Sequence, residues 1–157
     1  MTFKLTVTDL YGLTNSAYIT VTIINWHTPP DVSHAVADVG VLWPPDHKMA
    51  LVHIIGVIKP SDDKIAVTGV TQDEPTNGLG DGDTAIDAVK QVNAATVDDS
   101  VLLRAERSGK GDGRVYRVCF HIADPEQSAD GCVNVSVPKS KKTDVAIDSG
   151  QNYDSTH

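Results

Sequence analysis

The sequence predicts an all-β protein, an antiparallel β-sandwich preceded by an extra N-terminal β-hairpin. Valine, threonine and isoleucine are abundant while leucine and methionine are sparse, a composition that favours strands over helices. Apolar and polar residues alternate with a period of two through most of the chain, as they do in half-buried strands. No segment of useful length shows the 3.6-residue period of an amphipathic helix.

The first element is a hairpin over residues 1–25. Phe3, Leu5 and Val7 alternate with polar residues, residues 9–15 form a turn, and a second alternating run follows at residues 19–23. An isolated two-stranded hairpin is marginal in water. We therefore expect it to dock on the following sandwich or to be completed by strands from another chain. Residues 26–31, with two consecutive prolines, read as a linker.

The main body, residues 32–140, offers seven further strands at the spacing of a sandwich. We expect them near residues 33–42, 48–58, 64–72, 86–92, 100–106, 114–123 and 131–138. Residues 49–58 are apolar on both faces, as in a central strand that is covered on each side. The C-terminal tail, residues 141–157, holds one more expected strand at 144–147.

The two cysteines, Cys119 and Cys132, are predicted to form a disulfide. Period-two alternation places each of them on the polar face of its strand, and a turn near residues 124–130 brings the two strands together. Such a bond implies an oxidising compartment. Two neighbouring free thiols are the alternative. A zinc site is not expected, because no histidines cluster with them.

The segment 73–87 is acidic, punctuated by three glycines and free of lysine and arginine. Carboxylates concentrated in this way repel one another unless water or a hard cation lies among them, and Ca²⁺ prefers oxygen ligands in flexible loops. The segment therefore predicts a calcium site with ligands Glu74, Asn77, Asp81, Asp83 and Asp87. It lacks the full pattern of an EF-hand. A metal-free solvated turn and a catalytic carboxylate pair are the alternatives.

Other side chains admit a functional and a plainer interpretation. Trp43, beside two prolines, and Tyr11 are candidate platforms for stacking on sugar rings, although a tryptophan next to a strand also serves as half-buried packing. Arg104, Glu106 and Arg107, with Lys110 and Arg114 nearby, suggest either an anion site or a solvated face that supplies counter-charges for the acidic segment. No nucleophile-elbow, phosphate-loop or histidine metal motif is present, so we expect a non-catalytic protein.

The net charge limits the classes of molecule that the chain is expected to bind. A net charge of −8 and an isoelectric point near 5.0 argue against nucleic acids and anionic membranes, which need basic patches. No run of 18 apolar residues occurs, so membrane insertion is not expected. This balance suits an extracellular protein or one held in shape by divalent cations.

Three stretches carry a resemblance to a known kind of module. They are residues 42–49 (LWPPDHKM), the segment 73–88, and residues 103–116 (LRAERSGKGDGRVY), supported by residues 135–138. Together they resemble an Ig-like module that recurs near the C-termini of large bacterial secreted and surface proteins. The hairpin is similar to the last two strands of a PKD-like or cadherin-like domain, which implies that the chain begins within a domain.

The chain departs from the Ig pattern at one point. Asp112 followed by Tyr116 is similar to the tyrosine corner that opens an Ig strand F, which implies a cysteine at position 118. Valine occupies that position, and Cys119 faces outward. The predicted disulfide is therefore a surface bond and not the buried bridge between sheets.

These observations favour a non-catalytic extracellular or cell-surface module for structure and adhesion, stabilised by calcium. Its hairpin is expected to pair with neighbouring domains or with copies of itself, because exposed strand edges pair with other chains. Repetition of that contact gives a fibre. A carbohydrate-binding module of a secreted protein is the alternative, and a hydrolase that uses the acidic segment is the least favoured.

Overall fold

The computed structural model describes residues 1–22, 28–60, 63–77, 86–91, 99–123 and 127–157. Within these residues the regular structure consists of strands, and no helix is present. In chain order the strands are β1 (Thr2–Thr8), β2 (Thr14–Thr20), β3 (Val36–Ala37), β4 (Met49–Ile55), β5 (Lys64–Gln72), β6 (Ala88–Lys90), β7 (Ser100–Arg104), β8 (Gly113–Ala123), β9 (Ser128–Pro138) and β10 (Tyr153–Asp154). The all-β prediction is confirmed.

The strands form three antiparallel sheets. Two have four strands each, in the orders β10-β5-β8-β9 and β3-β4-β7-β6, and the third is the hairpin β1-β2 alone. The buried faces of the two four-stranded sheets share one hydrophobic cluster, which is the arrangement of a β-sandwich. Val52 of β4, Leu103 of β7, Val118 of β8 and Val135 of β9 are each at most 1% exposed within it.

The predicted alternation in β8 and β9 is confirmed. The side chains expected to face the core are all buried: Tyr116, Val118, Phe120, Ile122, Val133, Val135 and Val137. The two strands pair without a register shift over their full length, and Cys119 lies directly opposite Cys132. These cysteines form a disulfide, as predicted. Cys119 is half-buried and Cys132 exposed, so the bond lies on the outer face.

The strand β4 is apolar on both faces but is covered on only one. Val52 and Ile54 are buried, whereas Leu51 and Ile55 are 46% and 47% exposed. The expectation that both faces would be covered was wrong. The described residues of the sandwich form two sheets, so β4 packs on the other sheet with one face and its other face is open to solvent. A run of apolar residues does not show by itself whether one or both faces of a strand are covered by other elements.

The tail forms part of the sandwich and extends it beyond the expected boundary at residue 140. No strand forms at residues 144–147, where Val145 is 83% exposed; the tail pairs later, with Tyr153 opposite Gln72 of β5. Ser155 is fully buried. Its N–H donates to the Val70 carbonyl, and its carbonyl accepts from the N–H groups of Asp87 and Ala88. The tail thus forms its strand where the edge of β5 offers backbone hydrogen-bonding groups.

Candidate functional site

The predicted calcium ligands are in two different environments. Glu74 follows β5 and is 7% exposed, and Asp87 precedes β6 and is fully buried. Asn77 is exposed. Asp81 and Asp83 lie outside the described residues, as does Trp26 of the expected linker. The structure therefore brings Glu74 and Asp87 together in the interior, at the two ends of the acidic segment.

The group that joins them is the guanidinium of Arg114, at the start of β8. This side chain is fully buried. Its Nη1 donates to Asp87 Oδ2 at 2.7 Å, and its Nε donates to Glu74 Oε2 at 3.3 Å. Its Nη2 lies 3.9 Å from Oε1 of Glu106, which follows β7 and is also fully buried. One cation thus contacts two carboxylates from the β5–β6 connection and one from the β7–β8 connection, and we call these four residues the Arg114 cluster.

Neutral groups add hydrogen bonds to the cluster. The Tyr116 hydroxyl accepts from Arg114 Nη1 at 3.2 Å and donates to the Arg104 carbonyl at 2.8 Å. Gln72 Nε2 donates to Asp87 Oδ2 at 2.7 Å and to the Glu74 carbonyl at 2.9 Å. Buried charges are tolerated only when they are paired and hydrogen-bonded in this way.

A further arginine and a histidine approach the cluster from its rim. Arg104 Nε lies 3.7 Å from Asp87 Oδ1, and His47 Nδ1 lies 2.8 Å from Glu106 Oε2. The His47 side chain is 49% exposed, whereas that of Glu106 is fully buried. Each carboxylate of the cluster therefore has a basic partner, which reduces the repulsion among them.

The environment shifts the pKa of two members of this region. Burial works against the charged guanidinium of Arg114, but Tyr116, Asp87 and Glu74 outweigh it, so the pKa of Arg114 lies above its ordinary value. Burial raises the pKa of Tyr116 above its ordinary value, although the nearby Arg114 acts in the opposite direction. Arg114 stays charged and Tyr116 stays protonated across the physiological range.

The chemistry that this arrangement performs best is to fasten loops together. Asp73 adds to it, because its Oδ1 accepts from Val115 N at 2.9 Å and its Oδ2 from Ser149 N at 3.2 Å, which ties the tail to β8. Within the described ranges, no three His, Cys, Asp or Glu side chains are grouped so as to hold a metal ion. Calcium binding by the acidic segment stays a prediction.

The aromatic candidates lie in different settings. Trp43 is 38% exposed and lines a cleft of about 280 Å³ together with Val41, Pro44, Lys48 and Met49. The Trp43–Pro44 peptide bond is cis. Tyr11 is 91% exposed at the tip of the hairpin and is not among the residues that line this cleft. The structure therefore does not unite Trp43 and Tyr11 in one site.

The β1-β2 hairpin has two chemically different faces. Its register sets Phe3 opposite Ile19, Leu5 opposite Ala17, and Lys4 opposite Tyr18. Because side chains alternate across a strand, one face is apolar and the other carries mainly threonine and serine, with Lys4 and Tyr18. Every residue from 1 to 22 is exposed, and the apolar residues Phe3, Leu5 and Val7 are 51%, 67% and 63% exposed.

The Arg114 cluster was not predicted as a unit, although one signal for it was present. Arg114 has the same parity as Tyr116 and Val118 in β8, which places a charged residue on the core face and calls for a buried counter-charge. Glu106 carried no such signal, because it follows the end of β7 and its burial depends on loops that are distant in sequence.

Comparisons of the chain with protein-family models, with curated proteins and with solved structures gave no match. Among the described residues no helix is long and apolar enough to cross a membrane.

Proposed function

We propose that this chain is a non-catalytic, extracellular structural module that associates with neighbouring domains or with its own copies through the β1-β2 hairpin. One observation carries the proposal: the hairpin presents an apolar face to solvent. Leu5 and Val7 are more than 60% exposed on that face, as is Ile19. A two-stranded ribbon with an uncovered apolar face is marginal in water and gains stability when a further layer or strand covers it.

The same residues favour association with other domains or copies over a role as a passive spacer. Buried apolar area stabilises by roughly 25 cal/mol per Å², and contiguous exposed apolar patches mark interaction sites on soluble proteins. The outer edges of both hairpin strands have no strand partner among the described residues. Such an edge supplies backbone hydrogen bonds to an added strand. The hairpin therefore offers both an apolar face and open edges.

The proposed extracellular location is supported by the disulfide. The bond between Cys119 and Cys132 lies on the outer face of the sandwich, where Cys132 is exposed to solvent. Disulfides persist in oxidising compartments and are rare in the cytosol.

Two single-charge variants at adjacent residues test the proposal. Ala17→Asp puts a carboxylate on the apolar face, and the matched control Ser16→Asp puts the same charge on the opposite face. Light scattering coupled to size exclusion should show species above the 16.8 kDa chain mass for the wild type and for Ser16→Asp, with loss of these species for Ala17→Asp. A wild type that remains at the chain mass at every accessible concentration would refute the proposal.

Carbohydrate binding is a second candidate function, and the exposure of Trp43 beside a cleft favours it. An indole face that is partly accessible next to a concave surface is suited to stacking on a sugar ring. Retention on insoluble polysaccharides, compared between the wild type and Trp43→Ala, tests it. Equal retention of both proteins, or none, removes this candidate.

A further inference from the structure

The outer edge of β9 has backbone groups without partners. Near its C-terminal end, Ser136 N donates to the Gly40 carbonyl and Leu42 N donates to the Ser136 carbonyl. Strand residues alternate in the side to which they direct both groups. Ser128, Asp130, Cys132 and Asn134 therefore also direct their N–H and C=O groups away from β8. Within the described part of the chain, nothing hydrogen-bonds to these groups.

The other edges of the sandwich are short or interrupted. The strands β3 and β6 have two and three residues, and β5 carries Lys64 at its start, a register shift between Val67 and Gly69, and β10 at its end. Such features discourage strand addition. In contrast, β9 extends over 11 residues without a register shift and without lysine or arginine, and its one proline is its last residue.

The outer edge of β1 has the complementary pattern. Met1 and Val21 exchange two backbone hydrogen bonds of 2.9 Å. The odd-numbered residues of β1 therefore bond to β2, and the even-numbered residues direct their backbone groups outward. These residues are Thr2, Lys4, Thr6 and Thr8. Each edge thus offers four residues with outward-directed groups at the same two-residue spacing.

Pairing of these two edges also aligns their faces. Residues that are directly opposite in an antiparallel pair have their side chains on the same face. With Thr2 opposite Asn134 and Thr8 opposite Ser128, the polar side of β1 continues the solvent face of β9. The apolar side of the hairpin then continues the inner face of β9, where Val133 and Val135 are buried and Ala129 and Gly131 are only partly covered.

Charge distinguishes β1 from β2 as the donor edge. Lys4 is the one charged residue of β1, Asp130 is the one charged residue of β9, and β2 has none. In the register above, Lys4 is the diagonal neighbour of Asp130 on the same face, within the reach of a long side chain. The Asp130 side chain is 82% exposed and contacts His121 on its own sheet.

We propose that β1 of one copy adds as an antiparallel strand to the outer edge of β9 in a second copy, an inference that rests on the proposed function and names its acceptor surface. Donor and acceptor edges lie on different parts of the chain, so the contact is heterologous. Each copy that joins leaves one donor and one acceptor edge open, and the assembly grows as a chain unless it closes into a ring.

A mixing experiment with proline variants tests the pairing. Thr6→Pro removes an outward N–H from the donor edge, and Asn134→Pro removes one from the acceptor edge; neither residue donates within its own sheet. Each variant alone should lose at least about tenfold in association constant, measured by analytical ultracentrifugation. An equimolar mixture should form a dimer that does not grow, because one intact donor edge meets one intact acceptor edge.

The matched control is Ser16→Pro, which changes the outer edge of β2 directly opposite Thr6 and should leave association unchanged. If Asn134→Pro assembles like the wild type while Ala17→Asp does not, the hairpin associates elsewhere and the β9 assignment is overturned. If the wild type is monomeric, the proposed function itself fails.

A charge exchange decides the question if a proline variant does not fold, as judged by circular dichroism. Lys4→Asp and Asp130→Lys should each weaken association by about twofold to fivefold, and the double variant should recover the wild-type association constant. A double variant that is as weak as either single variant would overturn the proposed register.

Discussion

Removing the disulfide between Cys119 and Cys132 should lower the free energy of unfolding by about 3 kcal/mol. The bond closes a loop between residues that are 13 apart in sequence, and the loop-closure relation for the unfolded chain gives about 3 kcal/mol for a loop of this size. Because 1 kcal/mol shifts Tm by about 2–4 °C in a chain of this length, the variant Cys119→Ser/Cys132→Ser should melt about 6–12 °C below the wild type.

Calorimetry and guanidinium unfolding of the double variant provide the measurement, and wild type reduced with a phosphine reductant provides the control, since it should melt at the temperature of the variant. The two strands keep their register without the bond, because 11 residue pairs join β8 and β9. A loss below about 1 kcal/mol would refute the reasoning, because it would mean that the turn between the strands is already restricted in the unfolded chain.

Three further predictions concern the interior and the acidic segment. Arg114→Met should lower the free energy of unfolding by about 3–5 kcal/mol, because it removes a fully buried cation that pairs with Glu74, Asp87 and Glu106, and removal of one side of a buried ion pair is strongly destabilising. The matched change is Arg117→Met, in the same strand, where the arginine side chain is 44% exposed in its ion pair with Asp148. It should lower the free energy of unfolding by less than about 1 kcal/mol, and equal losses for the two variants in urea unfolding would contradict the value for Arg114→Met. Since burial raises the pKa of Tyr116 above 10.0, the folded state binds the phenolic proton more tightly, and stability should fall as pH rises beyond that value. Tyr116→Phe should show a shallower decline in urea unfolding at alkaline pH, and parallel declines would exclude this cause. If the acidic segment binds calcium, a hundredfold excess over Kd should stabilise the wild type by about 2.7 kcal/mol and leave Asp81→Asn/Asp83→Asn unchanged; a Tm that is indifferent to calcium and to chelator would remove the metal from the proposal.

The sequence predicted the elements in which strong alternation coincides with a short connection. β8 and β9 are adjacent in sequence and their apolar residues keep one parity, so their core faces and the cysteine pair followed directly. β5 was placed at residues 64–72 as observed. The hairpin was also predicted, because its turn is local: Asp9 Oδ1 accepts from the N–H groups of Tyr11 and Leu13. Its second strand begins at Thr14, inside the expected turn at residues 9–15.

Features that depend on distant partners were not predictable from local pattern. The position of β10 depends on which edge of the folded sandwich is free, and the apolar residues at 144–147 gave no information about that edge. The burial of Glu74 and Asp87 depends on Arg114, which is 40 residues beyond Glu74 and 27 beyond Asp87. A run of carboxylates looks the same in sequence whether a metal ion, water or a buried guanidinium neutralises it.

The Arg114 cluster makes the acidic segment a natural position for inserting foreign peptides. Glu74 and Asp87 bracket residues 75–86, and one guanidinium holds both carboxylates in the interior. Both ends of an insert would therefore be anchored by the scaffold, whatever its composition. Loop-closure entropy rises by only about 0.6 kcal/mol for each doubling of loop length. An epitope or affinity peptide placed between these two anchors should be displayed at little expense to the sandwich.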